Sequence, residues 1–263
     1  MTDRKDGNCG ADMGYPSYLS VRLKAVAELV SDRRCLADIG TDHAYIPIWL
    51  VKSGRISGAI AADVNRGPLQ RALEHIRDNG LEDRIKLRLS DGFLALEPGE
   101  ADSAVLAGMG GGLMIRILKE GARVVEHLEE CILQPQSEIE KVRAFLLEEG
   151  FLFLKEDMVE EDGKYYPMMK VKPPIREHRE KKKPETPWSE AELRYGKLLL
   201  ENRNPVLREF LEREISIRKQ ILSRLESGNS LRIAERRREV EAELDCAEKG
   251  LNYYAVQRDY TGD

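Results

Sequence analysis

Residues 35–47 read CLADIGTDHAYIP. The run from Cys35 to Gly40 is short, apolar and closed by a glycine, the pattern of a buried strand that enters a tight turn. The next stretch, AYIPIWLVKSG (44–54), reads as a helix, with Pro47 tolerated in its first turn. A β–turn–α unit is therefore expected, with Asp38, Gly40, Thr41, Asp42 and His43 around the turn. Gly40 lets a ligand approach the backbone closely at the strand end.

The same alternation continues outward. Strands are expected at GAIAADV (58–64), RIKLRLSD (84–91), ADSAVLAGM (101–109) and ECILQP (130–135). Helices are expected at GPLQRALEHIRDNG (67–80), LMIRILKEGARVVEHL (113–128) and SEIEKVRAFLLEEG (137–150), the last with Ser137 as its N-cap. Upstream, LSVRLKAVAELV (19–30) places Leu19, Leu23, Val26 and Val30 on one helical face. The pattern changes at FLFLKEDMVEEDGKYYPMMKVK (151–172), where Asp162-Gly163 joins two strands as a hairpin. Five β/α alternations followed by a hairpin predict an α/β fold, with a mostly parallel Rossmann-like sheet and a terminal antiparallel strand. That succession is similar to class I methyltransferases.

The 263 residues also suffice for a smaller appendage. Residues 1–18 read as a flexible leader, 19–172 as the Rossmann-like domain, and the proline- and lysine-rich 173–187 as a linker. Residues 188–263 read as a helical domain. In it, Leu207, Phe210/Leu211, Ile217, Ile221 and Leu225 form one apolar stripe, and Val240, Leu244, Ala247, Leu251 and Tyr254 another. With Ser227–Ser230 as a turn, these stripes predict an antiparallel coiled-coil hairpin.

Charge excludes a simple basic nucleic-acid binder. Of 42 Lys+Arg, 20 fall in 172–263, with 18 of the 47 Asp+Glu, so that part carries +2 and the rest −7. An RNA-binding surface must then be local. Candidates are Arg208, Arg213, Arg218, Arg224 and Arg236–Arg238, although acidic neighbours suit solvated coiled-coil flanks equally. Cys9, Cys35, Cys131 and Cys246 are scattered, and His75, His127 and His178 stand alone on charged stretches. No metal is expected: Cys35 and Cys131, in apolar runs, read as buried thiols and these histidines as surface residues. Without a membrane-length apolar run or a signal h-region, the expected compartment is the cytoplasm.

Chemistry gathers at four strand ends. Asp63, with Val64 and Asn65 after it, lies 23 residues beyond Gly40, where an acid can accept ribose hydroxyls. Asp91-Gly92 closes the third strand, and Ala107-Gly108-Met109-Gly110-Gly111-Gly112 the fourth. Open α/β sheets bind ligands at this edge. A dinucleotide site would want G-x-G-x-x-G, and Asp42 would repel the diphosphate. S-adenosylmethionine carries a sulfonium and an ammonium, so acidic neighbours suit it.

ADIGTDHAYIP, AGMGGGLMIRIL, ILQPQ and EEDGKYYPMMKV together resemble the bacterial tRNA adenine-22 N1-methyltransferase family over roughly residues 19–172. Its members join a Rossmann-like methyltransferase domain to a C-terminal coiled coil. The resemblance implies S-adenosylmethionine as cofactor and tRNA as partner; the sheet edge and a basic coiled-coil face are the surfaces expected to meet it. Asp38, Gly40, Thr41, His43, Asp63, Val64, Asn65, Asp91, Gly92, Ala107 and Gly108 are then the expected cofactor contacts. Asp42, Met109 and Gly110 are the expected catalytic positions. Asp63 stands where glutamate is as common, and Lys181–Lys183 match nothing in the family.

Three ambiguities remain at this level. Asp42 suits a carboxylate beside the reacting purine or a helix N-cap. Met109 suits a base contact or the core. His43 and Tyr45 suit the donor's methionine end, while Tyr45 and Trp49 also suit a helix core. Methylation of another RNA or a small molecule, or an inactive scaffold, stays compatible with the residues.

Overall fold

A computed structural model describes residues 19–174, 187–225 and 231–255. The expected leader, most of the linker with His178 and Lys181–Lys183, the Ser227–Ser230 turn and Cys9 lie outside the described residues. The N-terminal elements are α1 (Val21–Leu29), β1 (Arg33–Ile39), α2 (Tyr45–Lys52), β2 (Ile56–Asp63), α3 (Arg66–Asp78) and β3 (Ile85–Leu89). They continue with β4 (Ser103–Met109), α4 (Gly111–Glu120), α5 (Ala122–Val125), β5 (Glu130–Pro135) and α6 (Ile139–Glu148). The hairpin β6 (Leu152–Glu161) and β7 (Lys164–Lys172) ends this series.

The strand order is β3-β2-β1-β4-β5-β7-β6. β1 to β5 run parallel, and β7 is antiparallel to both β5 and β6. Alternation along each strand loads both faces of the sheet. Ala37, Ile39, Leu106, Cys131 and Leu133 pack under α4 and α6 with Met114, Val142 and Leu146. Leu36, Ala61, Val105 and Ile132 pack under α1, α2 and α3 with Val26, Leu50 and Ile76. Burial on both faces explains why these strands read as nearly unbroken apolar runs. The Asp162-Gly163 corner has φ of 53° and 74°, as a two-residue turn of this hand requires.

The helix expected over 113–128 is broken at Gly121, where a Cβ would sit 2.5 Å from Phe93. Ser137 does not cap α6. Glu138 holds that position with φ 52°, its carboxylate accepting from Gly112 N–H at 3.1 Å and pairing with Lys141 at 2.7 Å.

Beyond the hairpin lie α7 (Glu190–Tyr195), α8 (Lys197–Glu201), α9 (Pro205–Leu225), α10 (Leu231–Leu251) and a short 3₁₀ turn. Ser189 and Glu192 form a capping box at α7. Helices α9 and α10 pack through Leu207, Leu211, Ile215, Cys246 and Ala247, with the ion pairs Arg218–Glu243 and Lys219–Glu248 along their seam. Ile217, expected in the stripe, is 41% exposed, and Ile215 takes its place at steps of four from Leu207 and Leu211. This unit rests on the hairpin. Met158 of β6 lies in its core, and Tyr165 of β7 packs against Phe210. The wholly buried pair Arg143–Glu156 (2.8 Å) ties the parts together. Arg143 donates to the carbonyls of Leu193 and Arg194 at the end of α7, and Glu156 accepts from Leu198 N–H at the start of α8. Each charge thus meets the helix end of opposite polarity. Among the described residues no helix is long and apolar enough to cross a membrane.

Candidate active site

The turn after β1 folds back over β2. Gly40 and Thr41 both donate N–H bonds to Ala62 O, at 2.8 and 3.0 Å, with Gly40 at φ 78°. Behind this turn Asp38 is buried beside Thr41. Burial pushes its carboxyl up to about 6, against a hydrogen bond from Thr41, and the nearby Asp63 adds to the rise. Among the described residues neither Asp38 nor Asp63 pairs with lysine or arginine. Asp63 spends one oxygen on Asn65 N–H (2.7 Å), fixing the turn into α3, with Val64 exposed beside it. Two neighbouring acids without a basic partner leave a net negative cradle, which fits a cationic group and disfavours a diphosphate.

Asp91, at the same edge beyond β3, is held by both terminal nitrogens of Arg116 at 3.0 and 3.1 Å. That hydrogen-bonded guanidinium keeps its carboxyl below the ordinary range. A carboxylate has about four acceptor sites, so the arginine leaves room for an amine. Gly92 turns below it with a Cβ's space filled by Ile117. At the end of β4, Ala107 and Gly108 lead to Met109 and Gly110, and Gly110 occupies the N-cap of α4. Met109 is half-buried against the core, and its methyl would lie 3.1 Å from a Cβ on Gly40. It therefore bridges the β1 and β4 ends.

Asp42 does not cap α2. Ala44 holds that position with φ 54°, its N–H donated to Thr41 Oγ1 at 3.2 Å. The Asp42 carboxylate is exposed and bound by Arg71 of α3 and by His43 Nε2 at 3.2 Å. His43, Tyr45 and His75 lie with ring centroids 4.9–5.1 Å apart in near-parallel planes. His75, expected as a plain surface residue, is half-buried in this cluster, and its Nδ1 lies 3.1 Å from His43 O. Trp49 instead packs on the core with Arg55 over its ring.

Sequence reasoning missed the basic residues that organise this rim. Arg71 and Arg116 sit on helices far along the chain from the acids they hold, with no local motif to mark them. It also missed Arg22, Gln134 and Tyr166, which meet beside Gly108. On the C-terminal helices, Arg208, Arg236 and Arg237 pair with glutamates three or four residues on, and Arg218 is wedged between Glu214 and Glu243. Arg213 donates to Gly163 O and lies over Tyr165. Among the described residues no three His, Cys, Asp or Glu converge as a metal set.

A 3-2-1-4-5-7-6 sheet with acids at the ends of its first three strands and glycines at the fourth defines a class I methyltransferase. The sequence profile of the tRNA (adenine(22)-N(1))-methyltransferase family, TrmK, matches residues 36–249, and the chain belongs to that family. A tRNA (adenine(22)-N(1))-methyltransferase of Bacillus subtilis is 39% identical over 151 residues, 57% of this chain. That match spans 63% of the curated relative's length. The crystal structure of Streptococcus pneumoniae Sp1610 in complex with S-adenosyl-L-methionine is similar with TM-score 0.76 and 31% identity, covering 89% of this chain and 100% of that one. The TrmK of M. capricolum, in complex with S-adenosyl-homocysteine, gives 0.73 and 27%, covering 90% and 99%.

Proposed function

We propose that this protein transfers a methyl group from S-adenosylmethionine to N1 of adenine 22 in tRNA. The observation that carries the reading is Asp38, buried beside Asp63 at the carboxyl edge of the sheet with no basic partner among the described residues. Bound there, S-adenosylmethionine supplies an electrophilic methyl carbon to the adenine N1 lone pair in line. Asp38, Gly40, Thr41 and His43 hold its amino-acid end. Asp63, Val64 and Asn65 take the ribose, Asp91 and Gly92 the adenine, and Ala107 and Gly108 form the floor beneath the methyl.

In a duplex, adenine N1 is occupied in pairing, so the target base must be unpaired or drawn from its stack. Met109 and Gly110 border the space it enters. Alkylation makes the purine cationic, and Asp42 is assigned to favour that charge and to accept the N6 proton afterwards. The division into a catalytic unit (19–172), a linker (173–187) and a helical unit (188–263) belongs to the same proposal. Phosphates of tRNA are met by the sheet edge and by the helical unit through residues such as Arg224 and Arg238. The compartment is the cytoplasm.

The test is incubation with labelled methyl donor and bulk tRNA, followed by digestion to nucleosides. Labelled 1-methyladenosine is expected. Its absence, with donor binding intact, refutes the reading.

A further inference from the structure

Asp38, Asp63 and Asp91 stand at the ends of β1, β2 and β3, so the donor lies over that half of the sheet. The acceptor must enter over the other half, at the ends of β4, β5 and β7. Three elements converge there on one arginine. Arg22, in the first turn of α1, donates from Nη1 to Gln134 Oε1 of β5 at 3.0 Å. The same oxygen accepts Gly108 N–H of β4 at 3.1 Å. Gln134 is fully buried and donates its own amide to Pro135 O at 3.1 Å, so its orientation is fixed. The guanidinium lies over the ring of Tyr166 of β7, 5.6 Å from its centroid.

Arg71 and Arg116, elsewhere on this rim, are bound to Asp42 and Asp91. Arg22 pairs with no carboxylate among the described residues, and its Nε and Nη2 have no hydrogen-bond partner there. Its Nη1 lies 3.5 Å from where a Cβ on Gly108 would stand, at the strand end that faces the acceptor. An uncompensated guanidinium beside a base that becomes cationic on alkylation opposes the reaction. A phosphate seated on it removes that opposition, and the planar fork suits two phosphate oxygens.

We propose that Arg22, held by Gln134 and Tyr166, anchors a phosphate of the nucleotide being methylated. It is a positioning residue, and the inference rests on the tRNA-methyltransferase reading. Its test uses the full chain, as wild type, R22A and R22K, with tRNA over a range of salt concentrations and donor affinity measured separately. In R22A, kcat/KM for tRNA falls by roughly 10- to 100-fold, the loss of a charge-assisted hydrogen bond, while donor affinity is unchanged. The slope of log kcat/KM against log salt becomes shallower by about 0.7–0.9, one phosphate contact. R22K keeps the wild-type slope and recovers part of the rate. Wild-type kinetics in R22A, or a rate loss with an unchanged slope, overturns the inference while the enzyme assignment stands. A wild-type protein that binds donor yet makes no 1-methyladenosine removes the underlying reading instead.

Discussion

Asp38 is buried with no basic partner among the described residues, and its carboxyl is pushed up to about 6. A folded-state pKa above the unfolded value means that the fold prefers the protonated acid. Its contribution to stability is therefore greatest at low pH and is lost as pH rises towards 6. Asp38→Asn removes that penalty while keeping an acceptor for Thr41. The ligand-free variant should melt at a higher temperature than wild type at pH 8, read by thermal scanning, and should lose donor binding. An unchanged melting temperature with intact binding would place Asp38 outside the site. A cationic ligand favours the ionised acid, so donor affinity should weaken as pH falls through about 6, with proton release near that pH in calorimetry. Asp42→Ala is expected to abolish turnover with donor affinity largely kept; equal loss of both reduces Asp42 to holding the loop through Arg71. These acids were legible in the sequence because a strand end fixes where its own residues lie. Arg71, Arg116 and Arg22 were not, because their partners come from distant parts of the chain and only the folded sheet edge brings them together.

Elements differ in how plainly they are written. The strands of the two-faced sheet and the Asp162-Gly163 hairpin follow from apolar runs and turn chemistry. The start of α6 does not, because a polar residue before an apolar run marks several positions equally. Here Glu138, not Ser137, takes the cap position, since the backbone must pass over Gly111. A Cβ on Gly111 would lie 2.5 Å from Ser137 O and 2.9 Å from Val142. Gly111→Ala should therefore destabilise the protein by about 1–3 kcal/mol, the cost of overpacking, and denaturant melts will show it. A neutral effect would mean that the α4–α6 junction yields freely. The stripe of α9 runs through Ile215 rather than Ile217, because steps of four from Leu207 and Leu211 set the face that packs on α10.

At the scale of the molecule, the helical unit is seated on the β6–β7 hairpin through Met158 and Tyr165, and the ends of α7 and α8 are held by the buried α6–β6 ion pair Arg143–Glu156. Breaking it leaves a buried charge. Arg143→Met should cost about 3–5 kcal/mol, whereas Arg143→Met combined with Glu156→Met should cost much less than the sum of the two single changes. Urea titrations of the four proteins measure this, and strict additivity would contradict the coupling. The sequence signalled two helical stripes but not this attachment, since Arg143 and Glu156 look like ordinary surface charges on their own elements.

The account depends on an acid-lined sheet edge that accepts a cationic methyl donor. Calorimetric titration of the purified protein at pH 8 with S-adenosylmethionine, and separately with NAD, tests it most directly. Saturable binding of the methyl donor at one site per chain, with no heat from NAD, is the predicted result. Binding of NAD, or no binding of the methyl donor, would contradict it.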